Sequence, residues 1–158
     1  MSWQGALEDE RGFTLIEVLV TILLMGIVFA IASSTWFKVA ESRRVDSATN
    51  QVVADLRLAH TQATNHLTDS SFIVPSADSS TYQVGPEDIP ADLDTVTLPG
   101  DDQGTPKTKI LVATTIVFKS DGGAVIDPPG DITVAAIDGA PFHTININTV
   151  TSRVKVVN

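Results

Sequence analysis

From Phe13 to Phe37 the chain is apolar on every side, with Glu17 as its one charged residue, and Val18 to Phe37 is a run of twenty uncharged positions. Twenty helical residues suffice to cross a hydrocarbon layer of roughly 30 Å, so this run predicts a membrane-spanning helix. The pattern then changes but keeps a helical period. Val45, Ala48, Val52, Leu56, Ala59 and Ala63 recur at spacings of three and four, and Arg43, Asp46, Asn50, Arg57 and Gln62 fall largely off that stripe. No proline interrupts residues 13–66 and Gly26 is the only glycine among them, so one nearly continuous helix is predicted there. The alternative is two helices broken near Ser33-Ser34-Thr35, where helix propensity is weak.

After Leu67 the period drops to two. Phe72–Val74, Thr81–Val84, Thr95–Leu98, Ile110–Lys119, Ile132–Ile137, His143–Asn148 and Arg153–Val157 are short runs rich in Val, Ile and Thr, separated by Pro, Gly, Asp and Ser. These read as antiparallel strands and turns. Ser120-Asp121-Gly122-Gly123 suits a hairpin turn between Ile116–Lys119 and Ala124–Ile126. Residues 85–106 hold four prolines and six acids, which predicts a long surface loop with a short strand inside it. The fold class is therefore α+β, a long N-terminal helix packed on a C-terminal antiparallel β-sheet head. The expected layout is a membrane helix over 13–37, an amphipathic helix over 38–67 and a β-rich head over 68–158.

Composition narrows the chemistry. The chain has 158 residues, a formal charge of −9 and no cysteine. Disulfides and thiolate chemistry are excluded, and the acidic balance opposes broad attraction to nucleic acid. Neither a Gly-x-Ser-x-Gly, a phosphate-binding glycine loop nor a His-Glu-x-x-His is present, so no enzyme is expected. His60 and His66 are six apart and not neighbours on one helix face, which with His143 predicts exposed or polar-network histidines. Asp92, Asp94, Asp101 and Asp102 do not follow the order of a twelve-residue calcium loop, so a solvated acidic loop is expected and no metal or other cofactor. At the C-terminus Arg153 and Lys155 would project to one face of a strand.

The segment Arg11-Gly12-Phe13-Thr14-Leu15-Ile16-Glu17-Val18-Leu19-Val20 resembles the processing site of type IV prepilins and type II secretion pseudopilins. The resemblance implies a pilin-like fold and a leader over 1–12. A prepilin peptidase would cut between Gly12 and Phe13 and methylate the new amine of Phe13. Glu17 would then attract the N-terminal amine of a neighbouring subunit during assembly. Physics fits this role: an ionisable group in a membrane segment usually faces a partner, and opposite charges attract more strongly out of water. The chain without its leader carries −7 before its new amine is counted. The resemblance further implies other pilin or pseudopilin subunits and an inner-membrane assembly platform as partners. The N-terminus would be cytoplasmic and the head outside, in a periplasmic or extracellular filament. Flanking charge favours the reverse or leaves the orientation undecided, because Lys38, Arg43 and Arg44 follow the span and the leader offers Arg11 among three acids.

Val53 to Ala63, Phe118 to Gly123 and Thr151 to Val154 narrow the resemblance to GspH/FimT-like minor subunits. Certain FimT-like pilins capture DNA through a Gly-Arg-x-Arg element at the place of Ser152-Arg153-Val154-Lys155. That makes Arg153 and Lys155 candidate DNA contacts, with Lys107, Lys109 and Lys119 as helpers. The chain departs from the element twice, with Ser152 for Gly and Lys155 for the second Arg. Lysine lacks the bidentate fork that arginine offers phosphate.

Overall fold

The computed structural model describes residues 13–101 and 103–157; Gly12 and Asp102 lie outside the described residues. The chain divides into two units, residues 1–38 and 39–158. A single helix, α1 (Leu15–His66), runs through Ser33-Ser34-Thr35 without a break.

In the first unit the apolar side chains of α1 are exposed, among them Leu15, Leu23, Met25, Phe29, Trp36 and Phe37. The hydroxyls in this stretch are satisfied locally: Thr21 donates to the Val18 carbonyl at 2.8 Å and Ser33 to the Ala30 carbonyl at 3.0 Å. Such back-bonding removes the penalty of carrying a hydroxyl into hydrocarbon.

In the second unit the predicted stripe is the buried face of the helix. Val45, Ala48, Val52, Leu56, Ala59 and Ala63 are all fully buried. Small Ala48, Ala59 and Ala63 let the helix approach the sheets closely, and Leu56 fills the space between them. The helix stops after His66 because Leu67 takes a left-handed φ of 55°.

Among the described residues nine strands follow: β1 (Ser70–Val74), β2 (Thr81–Pro86), β3 (Asp94–Thr97), β4 (Thr108–Ile110), β5 (Thr114–Phe118), β6 (Ala124–Asp127), β7 (Ile132–Ala136), β8 (Phe142–Ile147) and β9 (Val154–Val157). They form two antiparallel sheets, ordered β3-β2-β1-β5-β6 and β4-β7-β8-β9. Both sheets supply the core beneath the helix, through Phe72, Tyr82, Ile116 and Phe118 from one and Ile110, Val134 and Ile145 from the other. Phe72 and Tyr82 stack with ring centroids 4.7 Å apart.

The predicted hairpin is present: Lys119 N–H donates to the Gly123 carbonyl at 2.8 Å, and Gly122 takes a positive φ of 94°. The single strand expected over Ile110–Lys119 is a correction. It is two strands, β4 and β5, in different sheets. The chain turns at Leu111–Ala113, where the Leu111 N–H donates to the Thr133 carbonyl at 2.9 Å. An unbroken apolar run carries no turn residue to mark such a corner.

Candidate functional site

The N-terminal site begins with the helix cap. Thr14 precedes α1, and its Oγ1 accepts the Glu17 N–H at 3.3 Å. Its carbonyl accepts the N–H groups of Glu17 at 3.1 Å and Val18 at 3.2 Å. Thr14-Leu15-Ile16-Glu17 thus follows the Ser/Thr-x-x-Glu pattern of a capping box. Glu17 lies in the first turn, where the helix dipole favours a carboxylate. Phe13, just before the cap, is 82% exposed. Of the residues singled out for processing and assembly, Phe13 and Glu17 are therefore accessible at the start of the helix, and Gly12 is outside the described residues.

The second site is at the C-terminus. The Asn148 side chain accepts the N–H groups of Val150 at 3.0 Å and Thr151 at 2.9 Å, which forms the turn into β9. Ser152 then takes a φ of 52°, a conformation that favours glycine. Its buried hydroxyl donates to the Gly122 carbonyl at 2.8 Å, which ties the turn to the β5–β6 hairpin. The Gly-to-Ser departure noted in the sequence thus falls on a left-handed residue whose side chain is anchored. Arg153 stands one residue before β9, and its carbonyl accepts the Asn148 N–H at 3.0 Å, so the ladder extends to it. Arg153 and Lys155 are both exposed and flank buried Val154, as alternation requires.

Arg153 and Lys155 share an open cleft of about 540 Å³ with Arg57 and His60 of α1. Sequence reasoning missed the two helix residues. Their spacing of three places them on one face, off the apolar stripe, but nothing in the sequence shows which strand that face meets. Among the described residues Arg57, Arg153 and Lys155 have no carboxylate within ion-pair distance. The helper lysines proposed from the sequence do not line the cleft. Lys107 pairs with Asp101 at 3.4 Å, Lys109 with Asp78 at 2.9 Å, and Lys119 with Asp69 at 2.7 Å and Glu87 at 3.7 Å. Lys119 Nζ and the Ser120 N–H both donate to Asp69, and these bonds hold its carboxyl below the usual carboxylate range.

The histidines are separate. His60 meets Phe118 edge-on with centroids 5.8 Å apart, and His143 Nε2 lies 2.7 Å from Asp46. His66 is exposed in the last turn of α1. In the acidic loop, Asp101 accepts the N–H groups of Gln103 and Thr105, each at 3.0 Å, which lowers its pKa. No group of three or more His, Cys, Asp or Glu converges as metal ligands among the described residues.

Two family models match the chain. The prokaryotic N-terminal methylation motif covers residues 9–33, and the type II transport protein GspH covers residues 48–151. No curated protein and no solved structure matches it. The first match contains the apolar start of α1 with Glu17, and the second spans the buried stripe from Ala48 onward and the strands up to the β8–β9 turn. A methylation motif on a membrane-anchoring helix, followed by this head over well over half of 158 residues, makes the chain a pilin or pseudopilin subunit that belongs to the GspH family.

Proposed function

We propose that this chain is a minor subunit of a type IV pilus or a type II secretion pseudopilus. In this reading prepilin peptidase cuts between Gly12 and Phe13 and methylates Phe13, and residues 13–37 hold the subunit in the inner membrane with its head outside. An inner-membrane assembly platform then moves it into a filament, where residues 13–37 are buried among neighbouring helices. The observation that carries this reading is the exposed carboxylate of Glu17 at the start of α1, the one charge in residues 13–37, whose large apolar side chains are exposed. A methylated amine from the next subunit offsets the cost of that buried charge. The test is Glu17→Ala in cells that assemble the filament. Expected is a normally cleaved protein, by mass spectrometry of its N-terminus, that is missing from sheared filaments. Wild-type amounts in the filaments would refute the role, and a mature protein still starting at Met1 would refute the processing.

DNA capture is the second reading. It is favoured by Arg57, Arg153 and Lys155, which gather in one cleft and have no ion-pair partner among the described residues. It is opposed by the ion-paired helper lysines and the net charge of −9. Retention of duplex DNA that weakens with salt and disappears in Arg153→Ala/Lys155→Ala supports it; retention without either dependence removes it.

A further inference from the structure

The cleft shared by Arg57, His60, Arg153 and Lys155 runs along the edge of a sheet. β9 ends the order β4-β7-β8-β9, and among the described residues no strand lies beyond it. The Asn148 N–H donates to the Arg153 carbonyl, and Asn146 lies opposite Lys155. An antiparallel ladder alternates, so the N–H and C=O groups of Lys155 face β8 and those of Val154 and Val156 face away. No turn or loop bond among the described residues takes up those groups of Val154 or Val156. Both valines line the cleft.

Charge along this edge is of one sign. The cleft lining contains no carboxylate, on a chain whose formal charge is −9. Arg57, Arg153 and Lys155 are exposed and have no ion-pair partner among the described residues. These cations also stand on both faces of the edge. Val154 and Val156 turn to the core, so Arg153 and Lys155, which alternate with them, project from the opposite face. Arg57 and His60 come from α1, whose buried stripe covers the core face. A strand added beside β9 turns successive side chains to alternate faces. It meets Arg153 and Lys155 on one face and Arg57 on the other, and opposite charges on neighbouring strands attract. Consecutive acids on an extended chain fit that arrangement, and strand addition satisfies the free backbone groups at the same time.

Duplex DNA fits the edge less well. β9 has four residues, a length of roughly 13 Å at about 3.3 Å per residue. The lysines that would extend a phosphate track beyond it are engaged by Asp101, Asp78 and Asp69. A DNA backbone also carries no N–H to meet the carbonyls of Val154 and Val156. We propose that the β9 edge binds an extended acidic segment of a partner protein, added as the next strand of this sheet and held by Arg57, Arg153 and Lys155. The site lies in the head and needs no filament, so it fails separately from the role of Glu17.

The probe is a fluorescein-labelled peptide, Val-Thr-Glu-Glu-Glu-Glu-Thr-Val, titrated by anisotropy against the full-length chain in mild detergent. Expected is binding that weakens with salt. In the complex, amide exchange at Val154 and Val156 should slow at least tenfold, while Lys155, already bonded to β8, changes little. The same peptide N-methylated at its glutamates keeps its charge and loses its donors there, and should bind at least tenfold more weakly. Arg57→Glu/Arg153→Glu/Lys155→Glu should lose the acidic peptide and gain its lysine counterpart, Val-Thr-Lys-Lys-Lys-Lys-Thr-Val, a switch that misfolding cannot produce. Absence of binding, unchanged exchange at Val154 and Val156 in the bound state, or equal affinity for the N-methylated peptide overturns the proposal. So does duplex DNA that binds more tightly than the peptide at the same salt, because the cleft is then a nucleic-acid site.

Discussion

Tyr82 is the only tyrosine in the chain and is fully buried in the core of the head. Its hydroxyl donates to Asp55 on α1, so one hydrogen bond ties β2 to the helix. Burial, followed by the Asp55 carboxylate, pushes the phenol above its ordinary value. In the unfolded chain the phenol ionises at about pH 10; in the folded head it keeps its proton well past that point. The sign follows. A group whose folded pKa is raised contributes fully below the unfolded value and loses its contribution as pH rises through the gap. Beyond about pH 10 the head should lose about 1.4 kcal/mol per pH unit to this group alone. The assay is an alkaline titration of the full-length protein in mild detergent, followed by ultraviolet phenolate absorbance. Tyr82 should ionise only where β-sheet circular dichroism is lost. Tyr82→Phe should cost about 2 kcal/mol at neutral pH, since it removes a hydrogen bond to a charged group, and should flatten the alkaline slope. A phenol that titrates near pH 10 while the sheet signal stays intact refutes the reasoning.

Other positions give sharp tests. Leu56→Ala empties a fully buried site between helix and sheets and should cost about 3 kcal/mol in urea unfolding, with membrane anchoring retained. Leu67 takes its left-handed φ with its side chain exposed, so Leu67→Gly relieves strain at no packing cost and should stabilise the head by about 0.5–1 kcal/mol by the same measurement. Asp69 is held below its ordinary pKa by Lys119 and Ser120, so its contribution is present above the ordinary carboxylate range and lost as pH falls through the depressed value. Stability measured across the acid range should fall less steeply in Asp69→Asn than in the natural chain.

The helix and its buried stripe were legible because one face repeats at a fixed period and no residue breaks it. The hairpin at Ser120–Gly123 was legible because Gly122 supplies the positive φ that the turn requires. What escaped were features set by long-range packing. The corner at Leu111–Ala113 consists of ordinary strand formers, and its bond to Thr133 depends on a strand some twenty residues later. The ion pairs that engage Lys107, Lys109 and Lys119 depend on where loops return, which charge counts cannot show. Arg57 and His60 reach the C-terminal strand only because helix and sheet share a core. The N-terminal methylation motif is legible for the opposite reason: it is carried by one short contiguous segment, so its signal is local.

At Glu17 the helix-start role overlaps with the proposed recruitment role, and the two separate under one substitution. As a member of the Thr14–Glu17 capping pattern it belongs to the helix start, and a glutamine serves that role nearly as well as a glutamate. In the proposed role, as an attractor of a neighbour's amine, it needs its charge. Removing that charge at such a site forfeits the ion pair and leaves the incoming amine without a counter-ion. Glu17→Gln should therefore keep the helix start, seen as unchanged amide-exchange protection over Glu17 and Val18, and still be excluded from filaments as fully as Glu17→Ala. Filament incorporation restored by glutamine would show that the carboxylate acts through helix geometry, and the electrostatic account of recruitment would then be wrong.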